Sequence, residues 1–143
     1  MNQMKLEFAS NLENESFVRT SVVAFLMPLN LTMNDVMEIK TILAEGVVNA
    51  MIHGYANTIG MIMVTVSYDE EEIQIEIRDE GEGIADSKQA MQPLYTSKEE
   101  LERSGMGFTI MQTFADEFDM ITSIGKGTSL YIKKRIKHGN IVQ

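Results

Sequence analysis

Two short runs of strict alternation constrain this chain more than any other feature. Ile62, Val64 and Val66 alternate with Met63, Thr65 and Ser67. After the acidic turn Asp69-Glu70-Glu71-Glu72, Ile73, Ile75 and Ile77 alternate with Gln74, Glu76 and Arg78. Successive side chains of a strand point to opposite faces, so the two runs predict a hairpin with one buried face. An apolar sheet face must be covered, and helices packed on one side of a mostly antiparallel sheet are a standard solution.

The rest of the chain supplies both layers. Met4, Leu6 and Phe8 alternate with Lys5 and Glu7, which predicts a first strand. Phe17, Val18, Val22, Phe25, Leu26 and Leu29 recur at helical spacing, and Pro28 and Asn30 close that helix. Thr32 opens a second helix that runs to about His53, with Val36, Ile39, Leu43, Val47 and Ala50 on one face and Glu38, Glu45 and Asn49 opposite. From Asp79 to Gly107 the chain is polar and glycine-punctuated, with one helical patch near 87–91; a loop this long in a compact domain is functional or mobile. A helix over 106–114 and a final hairpin, 118–124 with 129–136, turned at Gly125-Lys126-Gly127, complete the order. The prediction is one α/β (α+β) two-layer sandwich over residues 1–143, with a mixed, mostly antiparallel sheet and a frayed tail from Lys137. Met33, Met37 and Met51 are read as core.

Charge and composition remove several functions. With 143 residues the chain suits one core. A formal charge of -9 disfavours direct DNA binding, because phosphates repel an acidic surface, and suits a partner with basic surface. There is no cysteine, and there are only two histidines, so disulfides, thiolate metal sites and structural zinc are not expected. No apolar run approaches the roughly 20 residues that cross a bilayer, and the first residues lack the apolar stretch of a signal peptide. A cytoplasmic protein without membrane contact is expected.

Three segments carry candidate chemistry. In Glu45-Gly46-Val47-Val48-Asn49 the i,i+4 spacing sets a carboxylate beside an amide on one helix face; alone, such a pair reads first as a surface Glu with an i+4 hydrogen bond. In Asp79-Glu80-Gly81-Glu82-Gly83, Asp79 keeps the inward parity of Ile73, Ile75 and Ile77. A carboxylate buried there needs a donor, which the exocyclic amine of a purine would supply, and Gly81 and Gly83 let the backbone approach a flat ligand. An ordinary Asp-Glu-Gly turn is the competing reading. Ser104-Gly105-Met106-Gly107-Phe108 leads into a helix, whose N-terminal N–H groups and dipole favour an anion, with Arg103 beside it as a phosphate fork; a plain hinge is the alternative. Gly125-Lys126-Gly127-Thr128 lacks the spacing of a P-loop, and the motif set of the common protein kinases is missing.

Taken together and in this order, the three segments resemble the GHKL (Bergerat) ATP-binding superfamily of DNA gyrase, Hsp90, histidine kinases and MutL. Glu45 to Asn49 match its N box, Asp79 to Gly83 its first glycine box and Gly105 to Gly107 its second. The runs 45–55, 92–98 and 101–111, with Asn14 to Phe17, narrow the resemblance to the sporulation anti-sigma factors of that superfamily that are also serine-protein kinases.

The resemblance implies a homodimer that inhibits a sporulation sigma factor and uses Mg-ATP to phosphorylate a serine of an anti-anti-sigma protein, with ATP and ADP as ligands. It implies Glu45 as the base for the substrate serine and Asn49 as the magnesium ligand. Asp79 would bind the adenine amine, with Gly81 and Gly83 lining the pocket and Thr128 supporting Asp79. Gly105, Met106, Gly107 and Phe108 would hold phosphates at the helix start. A lid over about 93–104 would bring Thr96, Ser97 and Arg103 to the phosphates, and Arg19 would lie on the partner-binding surface. Gly46 stands where the family has alanine, and Ser97 where a second threonine is usual; neither removes a reactive group. Two other functions compete: a detached histidine-kinase catalytic domain, and a binding module in which ATP is bound without transfer. His53 is read first as a helix-end hydrogen-bonding residue, with a place near the phosphates as the alternative.

Overall fold

A computed structural model describes residues 1–55, 58–82 and 107–136. The elements are β1 (Asn2–Ala9), α1 (Asn14–Leu26), α2 (Met33–Asn49), β2 (Met61–Tyr68), β3 (Glu72–Asp79), α3 (Gly107–Phe114), β4 (Glu117–Ser123) and β5 (Gly127–Arg135). The strands form one five-stranded sheet in the order β1-β2-β3-β5-β4. Every pairing in it is antiparallel, in line with the mostly antiparallel sheet expected, and no parallel pair occurs among the described residues.

The alternation read from the sequence sets the layers. Ile62, Val64 and Val66 of β2, Ile73, Ile75 and Ile77 of β3, and Leu130 and Ile132 of β5 are buried on one face. Against them pack Val18, Val22 and Leu26 of α1, Ile39, Ile42, Leu43 and Val47 of α2, and Phe108 and Met111 of α3. The result is the two-layer arrangement that a one-faced sheet demands.

Local chemistry explains the helix boundaries. Pro28 sits in a short 3-10 turn, Met27–Leu29, which closes at Asn30 with φ 54°, a left-handed conformation that asparagine tolerates. Thr32 then caps α2: its Oγ1 accepts the N–H of Asp35 at 2.9 Å. Beyond Asn49 the helix does not stop but widens into a π-helical turn, Ala50–Gly54. Such turns are frequent at functional sites.

Some apolar positions differ from expectation. Val36 is only half-buried, and Phe17 is exposed. Met51 is core, whereas Met33 and Met37 are exposed, because they fall on the outer side of the first turns of α2. Among the described residues no helix is long and apolar enough to cross a membrane. The helical patch near 87–91, the lid over 93–104 and the tail from 137 lie outside the described residues.

Candidate functional site

The inward row of β3 ends on a charge. Asp79 is buried among apolar neighbours, as its parity with Ile77 requires. Its carboxylate accepts the N–H of Gly81 at 2.9 Å and the backbone N–H of Thr128. Thr128 is its register partner on β5. Burial pushes the Asp79 carboxyl above the ordinary carboxylate range; the two amide donors and the nearby His53 oppose this and do not cancel it. An ionised carboxylate has about four acceptor positions, so room is left for a further donor.

Glycines hold this end of β3 at close quarters. A Cβ on Gly54 would stand 2.6 Å from Oδ1 of Asp79. One on Gly81 would overlap the Gly54 carbonyl, which accepts the N–H of Glu82 at 2.9 Å. Gly127, at φ 102°, lies against the backbone of Asp79 and Glu80, where a side chain would overlap the Asp79 carbonyl. The hairpin turn between β4 and β5 also reaches in: the N–H of Gly125 donates to the Glu82 carbonyl at 2.8 Å. Tyr55 ties the turn to β2, its hydroxyl donating to the Met61 carbonyl at 2.8 Å and accepting the N–H of Glu80 at 2.9 Å. On the other side of Thr128, its Oγ1 shares a 2.8 Å hydrogen bond with that of Thr122.

The second half of the site is the meeting of α2 and α3. A Cβ on Gly107, the first residue of α3, would lie 2.8 Å from Nδ2 of Asn49 and 3.1 Å from Oε1 of Glu45. The first turn of α3 therefore stands directly over the carboxylate–amide pair, and a side chain at Gly107 would have to turn that pair aside. Asn49 is buried, and among the described residues its Nδ2 has no hydrogen-bond partner. Asn49, Ala50, His53, Ile77, Asp79, Phe108, Thr128 and Leu130 line one narrow cleft between these halves.

Of the sequence-derived candidates, Glu45, Asn49, Asp79, Gly81, Gly107, Phe108 and Thr128 fall in or beside this cleft. Arg19 does not line it; it sits on α1, ion-paired with Glu15 one turn earlier. Gly83, Thr96, Ser97, Arg103, Gly105 and Met106 lie outside the described residues. Sequence reasoning passed over Gly54, Tyr55 and Gly127 as site residues. Gly127 was readable as a turn glycine, but its contact with β3 depends on strand order, which no local signal reports.

The family described as a histidine kinase-like ATPase domain matches residues 8–134. The anti-sigma F factor of Geobacillus kaustophilus (strain HTA426) is 48% identical over 136 residues, covering 94% of this chain and 93% of that protein. That of Shouchella clausii (strain KSM-K16) is 51% identical with the same coverage. The chain belongs to the anti-sigma F factor family. A solved structure of the RsbU and RsbW domains of a Mycobacterium tuberculosis protein, 16% identical, has the same fold, with TM-score 0.68 over 95% of this chain and 32% of that longer one.

As an anti-sigma F factor family member with an ATPase-type domain, the protein is a nucleotide binder, and the cleft can be tested against its ligands. The unpartnered Nδ2 of Asn49 is a donor that a phosphate oxygen would satisfy. A half-turn of the amide instead presents Oδ1, an oxygen ligand suited to magnesium. Among the described residues no group of three acidic, histidine or cysteine side chains could hold a metal unaided.

Proposed function

We propose that this member of the anti-sigma F factor family is a protein-serine kinase, a single catalytic domain over residues 1–143, that transfers the γ-phosphoryl group of ATP to a serine of an anti-anti-sigma protein and also binds and inhibits a sporulation sigma factor. One observation carries the kinase reading: Glu45 and Asn49 of α2 lie directly beneath Gly107 at the N-terminus of α3. A helix N-terminus favours phosphate, so the terminal phosphoryl group sits where a carboxylate can act on its acceptor.

The resemblance to the family supplies the division of labour, and the cleft lined by Asn49, Asp79 and Thr128 supports it. Asp79 accepts the adenine amine, and Gly81 and Gly83 keep the pocket floor flat. Gly105, Met106, Gly107 and Phe108 offer backbone N–H groups to the phosphates, and Thr96, Ser97 and Arg103, on a lid over 93–104, add to that charge. Asn49 would hold magnesium, which neutralises charge on the phosphates when bound. Glu45 accepts the serine proton as the new P–O bond forms, and the bond to the bridging oxygen of ADP breaks. Phosphoryl transfer depends chiefly on positioning and charge, which suits a site with one base.

The anti-sigma role rests on kinship with proteins of that name, over nearly their whole length. Arg19, partly exposed on α1, is assigned to the partner surface. The working form is a cytoplasmic homodimer.

The deciding experiment incubates the protein with labelled ATP and a candidate anti-anti-sigma protein and maps the phosphosite. Phosphoserine on the partner is expected, and Glu45→Gln is expected to bind ATP but transfer nothing. Phosphohistidine, or transfer by Glu45→Gln at the original rate, overturns the assignment. ATP binding without any product reduces the protein to a binding module.

A further inference from the structure

The inward row of β5 also ends on a charge, at the end of the sheet opposite Asp79. Thr128, Leu130, Ile132 and Lys134 share the buried face, and Lys134 is 5% exposed. A buried ammonium needs partners, and this one has three. Its Nζ donates to Oε1 of Glu38 at 2.6 Å and to the carbonyl of Phe114 at 2.9 Å. Oδ1 of Asp35 lies 3.9 Å away.

These partners belong to the two helices that build the phosphate end of the cleft. Asp35 and Glu38 are in the first turns of α2, and Phe114 is the last residue of α3. A cation on the last carbonyls of a helix satisfies an orphan acceptor and complements the dipole. Lys134 thus ties the far end of α3 to the far end of α2, while Gly107 meets Glu45 and Asn49 at the near end.

We propose that Lys134 is a positioning residue for the nucleotide phosphates: by fixing the C-terminus of α3 to α2, it sets where the N-terminus of α3 stands over Glu45 and Asn49. Between the two ends the helices meet through apolar groups, Phe108 and Met111 against the core of α2. Apolar contact is non-directional and lets a helix slide or tilt at small cost. Hydrogen bonds to one ammonium are directional, so they fix register. Over eight residues α3 is about 12 Å long, so slack at Phe114 is carried to Gly107. The N–H of Asp116 donates to the Lys133 carbonyl, and the Asp116 carboxylate accepts the N–H of Arg135. Those bonds fasten the chain after α3 to the sheet; Lys134 fastens the helix to α2.

The inference rests on the nucleotide reading of the cleft, and the test separates the two. Binding of ADP and of adenosine is measured for the unsubstituted protein and for Lys134→Met. Because that change strands two carboxylates, the neutral combination Lys134→Met with Asp35→Asn and Glu38→Gln is measured alongside and stands in if the single variant does not fold. Adenosine engages the Asp79 end alone, whereas ADP also needs the N-terminus of α3. The expected result is a loss of at least tenfold in ADP affinity, with adenosine affinity within twofold. Equal losses for both ligands, or none for either, mean that Lys134 only stabilises the fold and overturn the proposal. If the unsubstituted protein binds neither ligand, the nucleotide reading itself falls, and the proposal with it.

Discussion

The carboxylate of Asp79 rests on the Cα of Gly54, with Oδ1 2.6 Å and Oδ2 3.1 Å from where a Cβ would stand. A π-helical turn delivers Gly54 to that spot, so the end of α2 forms one wall of the pocket that the end of β3 occupies. A methyl group there must displace the carboxylate from the amides of Gly81 and Thr128. Gly54→Ala is therefore expected to lower adenine nucleotide affinity at least tenfold, about 1.4 kcal/mol. It should also cost about 1–3 kcal/mol of stability, the scale of overpacking a tight site. Calorimetric titration and urea unfolding read the two effects; unchanged affinity would place Asp79 outside the nucleotide site.

Asp79 also makes stability and binding depend on pH in opposite senses. Burial raises its carboxyl pKa, so the folded protein holds a proton where the unfolded chain has released it. Stability from this group is fully present below the ordinary carboxylate value and is lost as pH rises through the raised one. Adenine binding runs the other way, because accepting the amine requires the ionised form. As pH falls from neutral toward the ordinary carboxylate range, nucleotide affinity should fall while the Asp79 contribution to stability rises. Asp69 has the opposite shift, lowered by the N–H groups of Glu71 and Glu72, and its contribution is lost only at more acid pH. Unfolding of wild type and Asp79→Asn across this range isolates the group: the difference between them must change with pH in the stated direction. A constant difference would show that Asp79 does not titrate there.

How far the site was legible follows from the same residues. Asp79 announced itself because an alternation of isoleucines placed a carboxylate on the buried side, and period two is unambiguous once a strand is granted. The spacing of Glu45 and Asn49 put them side by side. Which helix would stand over them was not readable from that spacing, since the close approach of Gly107 is a property of tertiary packing. Lys134 carried the same parity signal as Asp79, ending the row Leu130, Ile132, Lys134, yet a lysine near a chain end reads as solvated. Its partners Glu38 and Phe114 are distant in sequence, so only the fold reveals the cluster. Met33 and Met37 misled for a simpler reason: an apolar residue may stand in water at little cost, so exposure does not follow from hydropathy alone.

Gly46 lies inside α2, and the packing shows what its missing methyl makes room for. A Cβ there would overlap Cδ1 of Ile77 and stand 3.5 Å from Sδ of Met111 and 3.6 Å from a methyl of Leu130. Alanine would gain about 1 kcal/mol of helix propensity, against about 1–3 kcal/mol for crowding a filled core. The contact is the movable tip of one side chain, which keeps the cost at the low end. Gly46→Ala should change stability by no more than about 1 kcal/mol, and Gly46→Val should lose more, since its branches have nowhere to go. If denaturant midpoints show Gly46→Val to be as stable as wild type, α2 and β3 are not packed as described.

Gly107 sets stability against function most clearly. Alanine favours a helix interior over glycine by about 1 kcal/mol, and less at the first residue of α3, where Gly107 stands. Its Cβ would nevertheless lie 2.8 Å from Nδ2 of Asn49 and 3.1 Å from Oε1 of Glu45, both ends of flexible side chains. The fold can absorb that by turning the two side chains aside, so stability should stay within about 1 kcal/mol. The site cannot absorb it, because those side chains are the proposed base and metal ligand. Gly107→Ala should therefore unfold at nearly the wild-type urea concentration while losing at least tenfold in ATP affinity or in serine transfer. Full activity in a normally folded Gly107→Ala protein would show that the approach of the α3 N-terminus to Glu45 and Asn49 is not needed for the chemistry.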